Sequence, residues 1–145
     1  MQNNELKTPL ELFGVECGKG WYPLIQPLID YVEKYNQDKN DDDKIQIRQI
    51  KEKFGTLRFY TSYSTAELHD MICKAERESA NTCELCGTKN NIGTTSGWIT
   101  TCCLDCAKKI STKKTRPICW LNSQTNEKLC IQPSGNVEKI ADDTL

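Results

Sequence analysis

Apolar positions along this chain change period several times, and each change marks an element. From Trp21 to about Asn36 the residues Leu24, Ile25, Leu28, Ile29, Val32 and Tyr35 recur at helical steps, which predicts an amphipathic helix. Pro23 suits its first turn, whereas Pro27 predicts a late start or a kink. The run QDKNDDDK (37–44) reads as a solvated loop. The period then drops to two: Ile45 and Ile47 alternate with Gln46 and Arg48, and Leu57, Phe59 and Thr61 alternate with Arg58 and Tyr60. The short break KEKFG between them carries Gly55, so an antiparallel hairpin is predicted. Ser64-Thr65-Ala66-Glu67 has the form of a capping box, and Leu68, Met71, Ile72 and Ala75 behind it form one stripe, predicting a helix over about 65–80.

Residues 81–110 abandon both periods for cysteine and glycine, with one strand-like piece around Trp98–Thr101. Farther on, ICWL (118–121) and KLCI (128–131) flank the turn-rich NSQTNE, predicting a second hairpin, and the tail from Pro133 reads as loose. The expected fold class is α+β. Residues 1–80 form a small helix–hairpin–helix body, 81–110 an appended four-cysteine zinc ribbon, and 111–145 a basic linker, short hairpin and tail.

Composition narrows the function classes. Lys+Arg 19 against Asp+Glu 20 gives a formal net charge of -1, which argues against coating nucleic acid by bulk charge. No apolar run approaches the ~18 residues of a membrane span, and MQNNELKTPLELFG lacks a basic-then-apolar leader pattern. The expected compartment is the reducing cytoplasm. The outlier is cysteine, 9 of 145 residues, and in such a compartment clustered cysteines mean metal more often than disulfides.

Their spacing says which metal chemistry. Cys83-Glu84-Leu85-Cys86-Gly87 is a knuckle whose two thiols can reach one ion, with Gly87 free to take the positive φ of the turn. Cys103-Leu104-Asp105-Cys106 repeats it, with sixteen residues between Cys86 and Cys103, within the spacing of a four-cysteine zinc site. Four thiolates suit Zn2+, with iron the alternative, and a closed set of four leaves no position for water, so the role is structural. Cys102 would give a three-residue spacing to Cys106 and competes with Cys103; repetition of the first knuckle favours Cys103. Cys119 and Cys130 sit symmetrically across the second hairpin and are expected as thiols, Cys73 as a core residue, and Cys17 as part of the glycine-rich turn.

Two basic stretches offer ligand surfaces. Lys51, Lys53, Arg58 and Tyr60 concentrate on the first hairpin, and Trp21 after the ECGKGW turn supplies an aromatic face. Cations converging beside flat rings suit a phosphate-bearing ligand; a solvated sheet face and a core tryptophan are the bland alternatives. Lys108, Lys109, Lys113, Lys114 and Arg116 follow the second knuckle and suit phosphates; in a slightly acidic chain a solvated linker is the favoured bland reading. His69 is the only histidine, and no phosphate-binding loop, dinucleotide fingerprint, H-E-x-x-H or nucleophile elbow is present.

Read in order, ECGKGW, IKEKFGTLRFY, AERESANTCELCG and GWITTCCLDC resemble a family of short phage and prophage proteins. That family carries a glycine–tryptophan turn, a K-E-K-F-G-x-L-R-F-Y segment and paired CxxC knuckles. The resemblance spans roughly residues 14–106 and implies Cys103 as the ligand after Thr101 and one intervening residue, here Cys102. It also implies an accessory role in the host cytoplasm, such as blocking a host defence. The expected function is therefore a non-enzymatic zinc-ribbon protein that sequesters a small anionic, nucleotide-derived defence signal on Trp21, Lys51, Lys53, Arg58 and Tyr60. The alternative is a zinc-ribbon adaptor for nucleic acid or a host protein; self-association stays open in either case.

Overall fold

The computed structural model describes residues 15–140. Helix α1 spans Tyr22–Asn36, with Ile25, Leu28, Ile29 and Val32 buried. Pro27 lies inside it without ending it: the ring forfeits one backbone bond near the N-terminus, and burial of the apolar stripe offsets that loss. Strands β1 (Ile47–Lys53) and β2 (Thr56–Thr61) form the first hairpin. The predicted KEKFG break shrinks to Phe54-Gly55, because both residues take positive φ (54° and 85°) and close a two-residue turn. Helix α2 spans Ala66–Ser79, and its cap is Thr65, not Ser64: the Thr65 hydroxyl accepts from the Leu68 N–H at 3.0 Å.

The expected helix–hairpin–helix body with an appended ribbon is not the fold. Among the described residues there are three α-helices and two antiparallel sheets, and the larger sheet has five strands in the order β4-β3-β5-β6-β7. Its strands are β3 (Ile92–Thr95), β4 (Thr101–Cys103), β5 (Ile118–Asn122), β6 (Lys128–Ile131) and β7 (Val137–Ile140). The second hairpin is therefore no appendage: β5 pairs with β3 as well as with β6. The physical reason is the bare edge of a two-strand ribbon, which offers unpaired backbone groups and an open apolar side. Strand β5 satisfies both, laying the Trp120 ring where any side chain on Gly93 would stand. The tail read as loose forms β7 against β6 up to Ile140; residues beyond it lie outside the described part. Residues 108–112 of the basic stretch are also helical, since α3 spans Leu104–Thr112.

Two clusters of buried side chains result. One joins Trp21, α1, the inner face of β1–β2 and α2; the other joins Cys83, Ile92, Cys102, Ala107, Trp120 and Ile131. Buried polar contacts tie them together. Trp21 Nε1 donates to the Thr82 carbonyl at 2.9 Å, and the Thr101 hydroxyl donates to the Gly55 carbonyl at 2.6 Å. The Leu57 N–H is satisfied by the Ser79 hydroxyl at 2.8 Å.

Candidate metal centre and adjoining surfaces

Each half of the cysteine set is built by local backbone chemistry. In the first knuckle the Gly87 N–H bonds the Cys83 carbonyl at 2.9 Å and Gly87 takes φ +86°, so the chain doubles back and Cys86 returns to Cys83. The Cys86 N–H points at Cys83 Sγ, 3.4 Å away. In the second, Cys103 ends β4 and caps α3: its Sγ accepts from the Cys106 N–H at 3.4 Å. The x2 spacing is thus the distance from a helix cap to the third helical residue, which brings both thiols to one side.

The four ligand atoms of Cys83, Cys86, Cys103 and Cys106 all lie within 4.8 Å of one another, so this set can hold a metal ion. Cys86 Sγ and Cys103 Sγ are 3.8 Å apart. Cys83, Cys103 and Cys106 are buried and Cys86 is exposed. Strand alternation decides between Cys102 and Cys103, since neighbours on β4 point to opposite faces. Cys102 is fully buried away from the cage, with its carbonyl accepting from Trp120 Nε1 at 3.1 Å.

The thiols are tuned unequally. Burial pushes Cys83 up, but N–H groups of Cys103, Cys86 and Leu85 aimed at its sulfur outweigh this and bring it down to about 7. Burial raises Cys106 and Cys103. Cys102 is pushed up to about 12 by burial and by the neighbouring Cys83 and Cys103 thiolates. Cys17 also reaches about 12, through burial and then the carboxylates of Glu84 and Glu52. These last two thiols stay protonated and inert at neutral pH.

The N-terminal turn is a seat for the first knuckle. Gly20 N–H donates to the Glu84 carbonyl at 2.7 Å, and Gly18 N–H to the Glu84 carboxylate at 2.9 Å. A Cβ on Gly20 would run into the carbonyl oxygen of Cys83. Trp21, proposed from the sequence as a stacking surface, is consumed here: its exposure is 0% and its N–H is spent on Thr82.

The other four hairpin residues do share a face. Lys51 stands opposite Arg58, Lys53 opposite Thr56, and Tyr60 opposite Gln49, all on the side away from Ile50, Leu57 and Phe59. Lys51 Nζ lies 6.0 Å from the Tyr60 ring centre. Arg58 Nε is buried with no hydrogen-bond partner. Glu16 borders this face, held by Gln49 Nε2 at 3.3 Å.

A second surface was legible only in part. Lys109, Lys113, Lys114 and Arg116 are exposed, and none has a carboxylate partner among the described residues. They border two clefts. One, of about 440 Å³, runs from Leu85, Cys86 and Cys106 to Lys109, Lys113 and Lys114. The other, of about 540 Å³, gathers Thr95, Ser96, Thr100, Lys114 and Arg116 around Trp98, a residue 84% exposed. The basic residues were singled out in the sequence; Trp98 was not, because an aromatic beside a strand reads as core. His69 and Cys73 stand one turn apart on α2, with Nε2 and Sγ 3.6 Å apart, a contact that i,i+4 spacing produces by itself.

No family model matches this chain, and no curated protein or solved structure does. Among the described residues no helix is long and apolar enough to cross a membrane.

Proposed function

We propose that the chain is a non-enzymatic, zinc-organised binding protein for a phosphate-bearing ligand of the nucleotide type. The metal reading rests on donor chemistry and shape. Four thiolates about 2.3 Å from a tetrahedral zinc have sulfur–sulfur edges of about 3.8 Å, matching the Cys86–Cys103 separation. A borderline-soft d10 ion suits four sulfurs, and the closed shell gives it a structural role. Four thiolates on Zn2+ leave a net charge of about −2, which Lys109, Lys113 and Lys114 in the adjoining cleft offset.

The observation that carries the ligand reading is the larger cleft, where an exposed Trp98 meets Lys114 and Arg116, which have no carboxylate partner among the described residues, and four hydroxyl side chains. A base stacked on an aromatic ring contributes about 1–3 kcal/mol, and charge-assisted bonds from Arg and Lys hold its phosphates. In its narrower form, which the phage resemblance motivates, the ligand is a nucleotide-derived defence signal held in the host cytoplasm without turnover.

The first hairpin supports a second location. Lys51 and Arg58 are like charges directly opposed across two strands, an arrangement that destabilises a sheet unless an anion bridges them. The unpartnered Arg58 Nε favours such a bridge. Calorimetric titration against linear and cyclic nucleotides and a short single-stranded oligonucleotide tests both. The expected result is at least one micromolar ligand whose affinity falls about tenfold or more in Lys114→Glu/Arg116→Glu. Loss in Lys51→Glu/Arg58→Glu instead would move the site to the hairpin. Flat traces across the panel would end the nucleotide reading.

A further inference from the structure

Cys119 and Cys130 serve neither the cage nor a core, and the sheet sets them face to face. Cys119 on β5 is directly opposite Cys130 on β6. Neighbouring hydrogen bonds show what kind of pair this is. The Cys119 carbonyl accepts from Ser96 N–H at 3.0 Å, so its backbone polar groups face β3 and turn away from β6. Asn122, of opposite parity, donates to the Glu127 carbonyl at 2.8 Å, as a residue facing β6 must. On the partner strand, Gln132 donates to the Asn136 carbonyl at 2.8 Å toward β7, and Cys130 shares its parity.

Cys119–Cys130 is therefore a non-hydrogen-bonded antiparallel pair. In such pairs the Cα atoms stand about 4.5 Å apart and the side chains approach closest. That falls inside the range of about 4.4–6.8 Å that a disulfide spans. Trp120 and Ile131 are buried on the inner face of the sheet, so both cysteines project from the outer face. Cys119 is exposed, and half-buried Cys130 has Gln132 Nε2 3.8 Å from its sulfur. Their row continues through Ser96 on one side and Glu138 on the other.

We propose that Cys119 and Cys130 form a redox dithiol that a peroxide-class oxidant closes into a disulfide, stapling β5 to β6. The exposed Cys119 thiolate attacks hydrogen peroxide, breaking the O–O bond to give a sulfenic acid and one water after protonation. Cys130 sulfur then displaces the sulfenic oxygen as a second water, and the S–S bond forms. Two thiols lose two electrons and two protons, and the peroxide becomes two waters. This device is independent of the ligand reading, and its test involves no ligand.

The test is peptide mapping by mass spectrometry of the full chain as purified, alkylated under non-reducing conditions before and after graded hydrogen peroxide. The expected product is one crosslinked peptide pair containing Cys119 and Cys130, in a monomeric chain with its metal content unchanged. Cys130→Ser should abolish the crosslink and leave a Cys119 sulfenic acid that dimedone traps. Should that variant fail to fold, mapping of the unaltered chain decides alone. The proposal is overturned if the cage thiols oxidise and release metal while Cys119 and Cys130 remain alkylatable, or if Cys119 crosslinks only between two chains.

Discussion

Gly20 stands so close to the Cys83 carbonyl that a methyl group there must displace one backbone or the other. Gly20→Ala should cost about 2–4 kcal/mol in chemical denaturation and loosen metal retention, since it pushes the knuckle off its seat. Gly97→Ala is the comparison: it strains a positive φ, but nothing lies within 4 Å of its Cβ, and about 1 kcal/mol is expected. Cys17, in the same turn, makes a pH prediction. Its thiol is raised from 9.0 to about 12, so the folded chain keeps a proton there that the unfolded chain sheds from about pH 9 upward. Stability is then full below pH 9 and falls as pH climbs toward 12; thermal melts of the native chain against Cys17→Ala should show this alkaline loss diminished in the variant. The turn itself was legible as ECGKGW. Its purpose was not, because the collision that requires glycine is with Cys83, more than sixty residues away.

Elements explain why one thiol of the Cys102-Cys103 pair enters the cage. Cys103 is at once the end of β4, the cap of α3 and a member of the cysteine set. Cys103→Ala should abolish metal binding outright in elemental analysis. Cys102→Ala should retain the metal and cost about 1–3 kcal/mol of packing. Equal loss of metal in both would refute the alternation argument. The sequence showed both knuckles and favoured Cys103, since the x2 spacing and its repetition are local features; the alternation on β4 that turns Cys102 away needed the structure. Helices α1 and α2 and the first hairpin were also legible, being long enough for their periods to repeat. Missing were β3 with four residues, β7 with four and α3 with nine. Over such lengths a period barely completes, and these elements owe their form to pairing with β5, β6 and the cage. Trp98 escaped for the same reason: only the turn between β3 and β4 shows that it faces solvent. Trp98→Ala should leave the melting temperature within a few degrees while removing most ligand-induced quenching of tryptophan fluorescence, because Trp21 and Trp120 are buried.

At the scale of the whole molecule, the cage is a hinge pin between two layers. Its first knuckle rests on the turn that leads into α1, and its second begins the helix that covers the five-stranded sheet. Neither apolar cluster is large, so on the proposed reading a metal held by the four cysteines couples its binding to their stability. The five-strand order β4-β3-β5-β6-β7 puts the strand that ends in Cys103 at one edge of the sheet. The most direct measurement is metal content of the reduced, purified chain by elemental analysis, paired with a thermal melt before and after a strong chelator. One zinc ion per chain, and a large fall in melting temperature once it is removed, is the predicted result. A chain that carries neither zinc nor iron, or that melts unchanged after chelation, would contradict the account.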